Sequence, residues 1–89
     1  MLKIKYRNSF EKDVKLAQKR GKNLDDLKEV ITLLSEEKPL PAKYRDHKLV
    51  GNYANHRECH IEPNWLLIYK KHAGELILER TGSHADLFK

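Results

Sequence analysis

Hydrophobic and polar positions alternate at the start of the chain. Leu2, Ile4 and Tyr6 are separated by Lys3, Lys5 and Arg7, the period of a strand buried on one side. The period then lengthens. In "NSFEKDVKLAQKRGK" the apolar Phe10, Val14 and Ala17 fall at i, i+4 and i+7, Ser9 stands where a helix cap is needed, and Gly21 offers a left-handed stop. After a capping Asn23, Leu24, Leu27, Val30, Ile31 and Leu34 form the stripe of a second helix, antiparallel to the first, which Pro39 must end. "HKLVG" is a short, weak strand or extended arm. Three stronger strands are expected at residues 57–61, 65–71 and 75–81, joined by the hairpin-sized "EPN" and "HAG".

This order predicts an α+β fold: an N-terminal strand and a two-helix hairpin packed on one face of an antiparallel sheet, with the other face open and slightly concave. No repeat, low-complexity run or linker interrupts it, so residues 1–89 read as a single domain. A chain of 89 residues buries one small core, and any active site must be a surface groove.

Charge narrows the partners. Eighteen Lys and Arg against thirteen Asp and Glu give +5, and a compact basic domain commonly meets nucleic acid or an acidic protein. The lone Cys59 excludes an internal disulfide framework and a cysteine-rich zinc site. Met1 leads into "LKIKY" with no signal-like segment and no apolar run of membrane-spanning length. A cytoplasmic protein that engages no membrane is the expectation.

Candidate chemistry concentrates in "RECHIEPNWLLIYK", where Arg57, His60 and Trp65 occupy strand positions that ordinary sheet residues would fill. His60 alternates with Glu58 and Glu62, away from Cys59 and Ile61, and so belongs to the polar face. His84 counts in twos to Gly82 and Arg80, which joins imidazole and guanidinium on one side if the strand persists that far. Gly82 either opens space for a ligand or marks a bulge. His47, in the arm before the strands, either reaches the open face or is a plain loop histidine. His56 and His72 fall in loops. Cys59 reads as a small buried thiol rather than a nucleophile. A zinc set from His56, Cys59, His60 and His84 matches no closed-site spacing, and no metal or other cofactor is expected. Arginine and several histidines on the open face of a basic domain are what metal-free RNA cleavage requires: a base for the 2′-OH, an acid for the leaving 5′ oxygen, and cations for the phosphate.

Four ordered segments, "KDVKLAQKRG", "YRDHKLVG", "RECHIEPNWLLIY" and "ERTGSHADLF", resemble the YafQ branch of the RelE bacterial toxins over nearly the whole chain. The resemblance implies a microbial-RNase-like fold and a toxin that cleaves translated mRNA in the ribosomal A site. Cleavage would proceed by 2′-OH attack without a metal, leaving a 2′,3′-cyclic phosphate. It also implies a cognate antitoxin whose acidic segment wraps the toxin in a hetero-oligomer, with the free toxin a monomer. Matched residue by residue, His47, His60 and His84 take the positions of the catalytic histidines and Arg80 that of the phosphate-stabilising arginine. Phe88 is the C-terminal aromatic and Trp65 a site aromatic. Asn64 departs from the pattern: the family reads "EPDW" where this chain reads "EPNW", and an amide cannot carry the proton an aspartate could.

Arg57, Lys48 and Arg45 are expected to help hold the substrate. Lys12, Lys15, Lys19, Arg20 and Lys22 are expected to meet ribosomal RNA through phosphate contacts. Two other readings remain open: a non-catalytic toxin of the same fold, such as the gyrase-inhibiting ParE branch, and an RNA- or ribosome-binding module that lost activity with the aspartate.

Overall fold

The computed structural model describes residues 1–88. Its elements are β1 (Lys3–Tyr6), α1 (Asn8–Lys19), α2 (Leu24–Ser35), β2 (His47–Lys48), β3 (Arg57–Glu62), β4 (Trp65–His72), β5 (Glu75–Gly82) and α3 (His84–Leu87), with single 3-10 turns at Ala42–Tyr44 and Gly51–Tyr53. The five strands form one sheet in the order β1-β5-β4-β3-β2. All neighbours are antiparallel except β1 and β5, which run parallel from Lys3 opposite Glu75 to Tyr6 opposite Leu78.

The stripes of α1 and α2 lie on one face of this sheet. Phe10, Ala17, Leu27, Val30, Ile31 and Leu34 join Cys59, Trp65, Leu67, Tyr69, Leu76 and Leu78 in one buried cluster. Each large apolar side chain fully buried there contributes about 1.5–3 kcal/mol. Asn23 caps α2 as its sequence suggests, accepting from the Asp25 N–H at 2.9 Å. Ser9 does not cap α1. Arg7 holds the cap position without a side-chain bond, and the Ser9 hydroxyl donates across to the Glu79 carbonyl at 2.9 Å.

Two further features depart from the expected fold. The face away from the helices is not bare: Leu66 and Ile68 are covered by Leu87, Leu49 and Tyr53 in a second small cluster. His84 does not extend β5 but opens α3. The chain turns there because Ser83 caps α3 in a reciprocal box with Asp86, which satisfies backbone donors the strand would have left free. Gly82 permits the close turn, since a Cβ at that position would meet Asp86 atoms at 3.0 and 3.1 Å.

Candidate active site

Two β-bulges decide which side chains reach the second face. Leu76 and Leu78 of β5 face the helices, so simple alternation would send Arg80 into the core as well. The register shifts between Ile68 and Tyr69, leaving Glu79 as the extra residue and pairing Arg80 with Ile68. That re-aims the guanidinium to the opposite face. A second shift lies between His60 and Glu62. Before it, His60 stands opposite Leu66 and Glu58 opposite Ile68. Two rows therefore cross the sheet on this face: Glu58, Ile68 and Arg80, then His60, Leu66 and Gly82. His47 joins at the edge, paired with Glu58.

The rings form a continuous surface run. Centroids lie 6.1 Å apart for His47 and His60, 5.7 Å for His60 and His84, 6.2 Å for His84 and Phe88, and 5.8 Å for Phe88 and Tyr53. The three histidines singled out in the sequence are thus neighbours, with Phe88 beside them and 41% exposed.

Asn64 is tied to His84. Its Oδ1 accepts from the His84 backbone N–H at 3.1 Å and lies 3.0 Å from the His84 Nδ1. A backbone N–H can only donate, so the amide oxygen is the atom facing His84 and Nδ1 must carry a hydrogen toward it. The Nε2 of His84 is left for chemistry.

Sequence reasoning passed over Glu58. Its carboxylate is buried, 2.9 Å from the His60 Nε2 and 3.7 Å from the His47 Nε2. The His60 Nδ1 is 3.3 Å from the Pro63 carbonyl, and the His47 Nδ1 is 2.7 Å from that of Arg45. The signal was present in the alternation that set Glu58 on His60's face. Ligand atoms of His47, Glu58 and His60 all lie within 4.8 Å of one another, a His/carboxylate/His donor set of the kind transition metals accept.

Arg80 pairs with Asp13 of α1, its Nε donating at 2.6 Å and its Nη2 at 3.2 Å. That pairing raises its pKa above the ordinary arginine value, so it stays charged.

Other expected site residues lie elsewhere. Arg57 shares its face with Cys59, where its guanidinium donates to Asp46, which also accepts from the Tyr69 hydroxyl. Lys48, register partner of Arg57, lies on that side too. Trp65 is 1% exposed within the helix-face cluster, and its Nε1 is buried without a partner. Arg57, His60 and Trp65 therefore do not share one wall. Arg45 is exposed, at the edge beside His47. Of the basic residues on and after α1, Lys12, Lys15 and Lys19 are exposed. Arg20 is instead bound to Asp86 at 2.7 Å, and Lys22 to Glu62 at 2.9 Å. Among the described residues, no helix is long and apolar enough to cross a membrane.

Three imidazoles, a carboxylate and a fixed guanidinium meet on one surface of this small basic α+β domain, a set of groups that can exchange protons and hold an anion. Comparison with known proteins gives the same direction. Residues 2–89 match the family model described as the bacterial toxin of type II toxin-antitoxin system, YafQ. The chain is 51% identical over 86 residues to the mRNA interferase toxin YafQ of Escherichia coli K12, covering 96% of this chain and 94% of that protein. It superposes on the toxin in the crystal structure of the E. coli DinJ-YafQ complex with a TM-score of 0.91, at 49% identity and full coverage of both chains. The metal-bound toxin from Helicobacter pylori matches with a TM-score of 0.93, at 42% identity over 99% of this chain and 100% of that one. The chain belongs to the YafQ family of type II toxin-antitoxin toxins.

Proposed function

We propose that this chain is an mRNA interferase that cuts translated mRNA in the ribosomal A site by internal attack of the ribose 2′-OH. The observation that carries the reading is the arrangement of His84 and the His60–Glu58 pair on one face with Arg80. The proton that leaves the 2′-OH is taken up by the pair of His60 and Glu58, whose Nε2 and carboxylate lie 2.9 Å apart. The 2′ oxygen attacks phosphorus, the bond to the 5′ oxygen breaks, and His84 passes a proton from Nε2 to that oxygen. Arg80 stabilises the charge that grows on the phosphate. Phe88, exposed beside His84, offers a face on which a base can stack. The products are a 2′,3′-cyclic phosphate and a 5′-OH. The acid, the base and the cation of this scheme are all protein side chains, and it calls on no metal.

The partner is a cognate antitoxin. The E. coli relative is seen with DinJ, and an acidic segment would suit the +5 charge of this chain. The test is end chemistry: added to a translating extract, the protein should yield fragments with cyclic-phosphate 3′ ends at A-site codons, and excess antitoxin should abolish them. Intact mRNA would overturn the proposal.

A second role for the His47, Glu58 and His60 cluster follows from its donor set and from the metal-bound H. pylori relative. A transition metal held there would occupy the lone pairs that proton transfer uses. Copper or zinc should therefore inhibit cleavage, and a chelator should restore it without lowering the activity of metal-free protein.

A further inference from the structure

We infer that Asp13 of α1 is a positioning residue for catalysis, acting through Arg80; the inference rests on the ribonuclease reading above. β1 pairs with β5 only as far as Leu78, so the stretch from Glu79 to Gly82 has no strand on that edge. α1 covers it instead. Ser9 donates to the Glu79 carbonyl at 2.9 Å, and one helical turn later the Asp13 Oδ2 accepts from the Thr81 N–H at 3.1 Å. Edge cover alone asks only for an acceptor at position 13, which a serine or asparagine would supply.

The carboxylate does more than cover the edge. Its two oxygens take the Nε and Nη2 hydrogens of Arg80, a side-on bidentate pairing that fixes the plane of the guanidinium. Asp13 uses two of the five guanidinium N–H groups; the others point away from the carboxylate, on the side where the Tyr53 hydroxyl also approaches, and can meet a phosphate. The Asp13 side chain is 14% exposed and that of Arg80 29%, so the carboxylate sits behind the arginine rather than in competition for substrate. A free arginine on a bulged strand samples many rotamers, and a group that must meet charge as it develops works best when already oriented.

The experiment measures mRNA cleavage on programmed ribosomes, with the rate constant at saturating ribosomes separated from ribosome affinity. Asp13→Asn keeps an acceptor for Thr81 but loses the charge and the second oxygen; Asp13→Ser is a second variant that also covers the edge. Loss of orientation should lower the rate constant about ten- to a hundredfold, with ribosome affinity near the parent value and the variant still folded at the assay temperature. In an Arg80→Ala background the same change should add nothing. A rate for Asp13→Asn within about threefold of the parent overturns the inference while leaving the ribonuclease reading intact. A full Asp13 effect persisting without Arg80 also overturns it, because the residue would then act through the fold. If Arg80→Ala cleaves like the parent while His84→Ala is inactive, the Arg80 assignment fails and takes the Asp13 inference with it.

Discussion

The amide oxygen of Asn64 accepts two hydrogen bonds from one residue, the backbone N–H and the ring Nδ1 of His84. Asparagine can thus orient the imidazole as an aspartate would, but it places no charge beside it. The opposite charge of a carboxylate would favour the imidazolium form. Asn64→Asp should therefore keep or raise cleavage and move the alkaline limb of the pH–rate profile to higher pH. An unmoved limb would show that Asn64 does not govern the titration of the group that limits the rate.

Asp86 couples α3, and with it His84, to the rest of the molecule. Arg20 first, then the Ser83 backbone, holds its carboxyl well below the usual carboxylate range. A carboxyl lowered in the folded state adds stability above its unfolded pKa near pH 4, and loses it as pH falls through the lower folded value. Asp86→Asn should cost about 1 kcal/mol at neutral pH, as a weakened cap and ion pair do. The gap in melting temperature between parent and variant should narrow as pH drops below about 4. A gap that stays constant down to pH 2 would contradict the coupling.

Trp65 packs under the site rather than on it, and its indole N–H has no partner. Trp65→Phe removes that unsatisfied donor while filling much of the same volume. Cleavage should stay within about threefold of the parent, whereas Trp65→Ala should cost about 3–5 kcal/mol of stability. A folded Trp65→Phe protein that no longer cleaves would return the ring to the RNA site.

The exposed Lys12, Lys15 and Lys19 of α1 differ from Lys22, which is already paired with Glu62. Replacing the three together with glutamine should weaken ribosome association and flatten its dependence on log salt by about 0.7–0.9 for each phosphate no longer neutralised. Lys22→Gln should do less. Equal salt slopes for the triple variant and the parent would exclude a role for these lysines in holding ribosomal RNA.

Much of this architecture was legible in residue periods. The strands at 57–61, 65–71 and 75–81 and the stripe from Leu24 to Leu34 form within a residue or two at the strand ends, because the helix has one buried face that fixes its period and the short strand runs are bounded by the turn residues of "EPN" and "HAG". The parallel docking of β1 on β5 was not legible, since it joins residues far apart in the chain and leaves no local trace. Two register shifts did most to hide the site. Simple alternation groups Arg80 with Leu76 and Leu78, and only the bulge at Glu79 frees it for the other face. Alternation did separate Arg57 from His60, yet the presence of both in one short segment invited their grouping. The capping pair in "GSHAD" carried the signal for α3, overshadowed by the apparent continuation of the strand.

The most direct measurement is the rate of His84→Ala, since that imidazole is held by Asn64 with its Nε2 free and stands 5.7 Å from the His60 ring. Removing a general acid typically costs about 10² to 10⁴ in rate, while losing an exposed histidine should shift stability by about 0.5 kcal/mol or less. The variant should fold, bind the antitoxin and the ribosome like the parent, and release cyclic-phosphate fragments at least about a hundredfold more slowly at saturating ribosomes. A folded His84→Ala protein that cleaves within about threefold of the parent would contradict the assignment of the acid and, with it, the chemistry proposed for this surface.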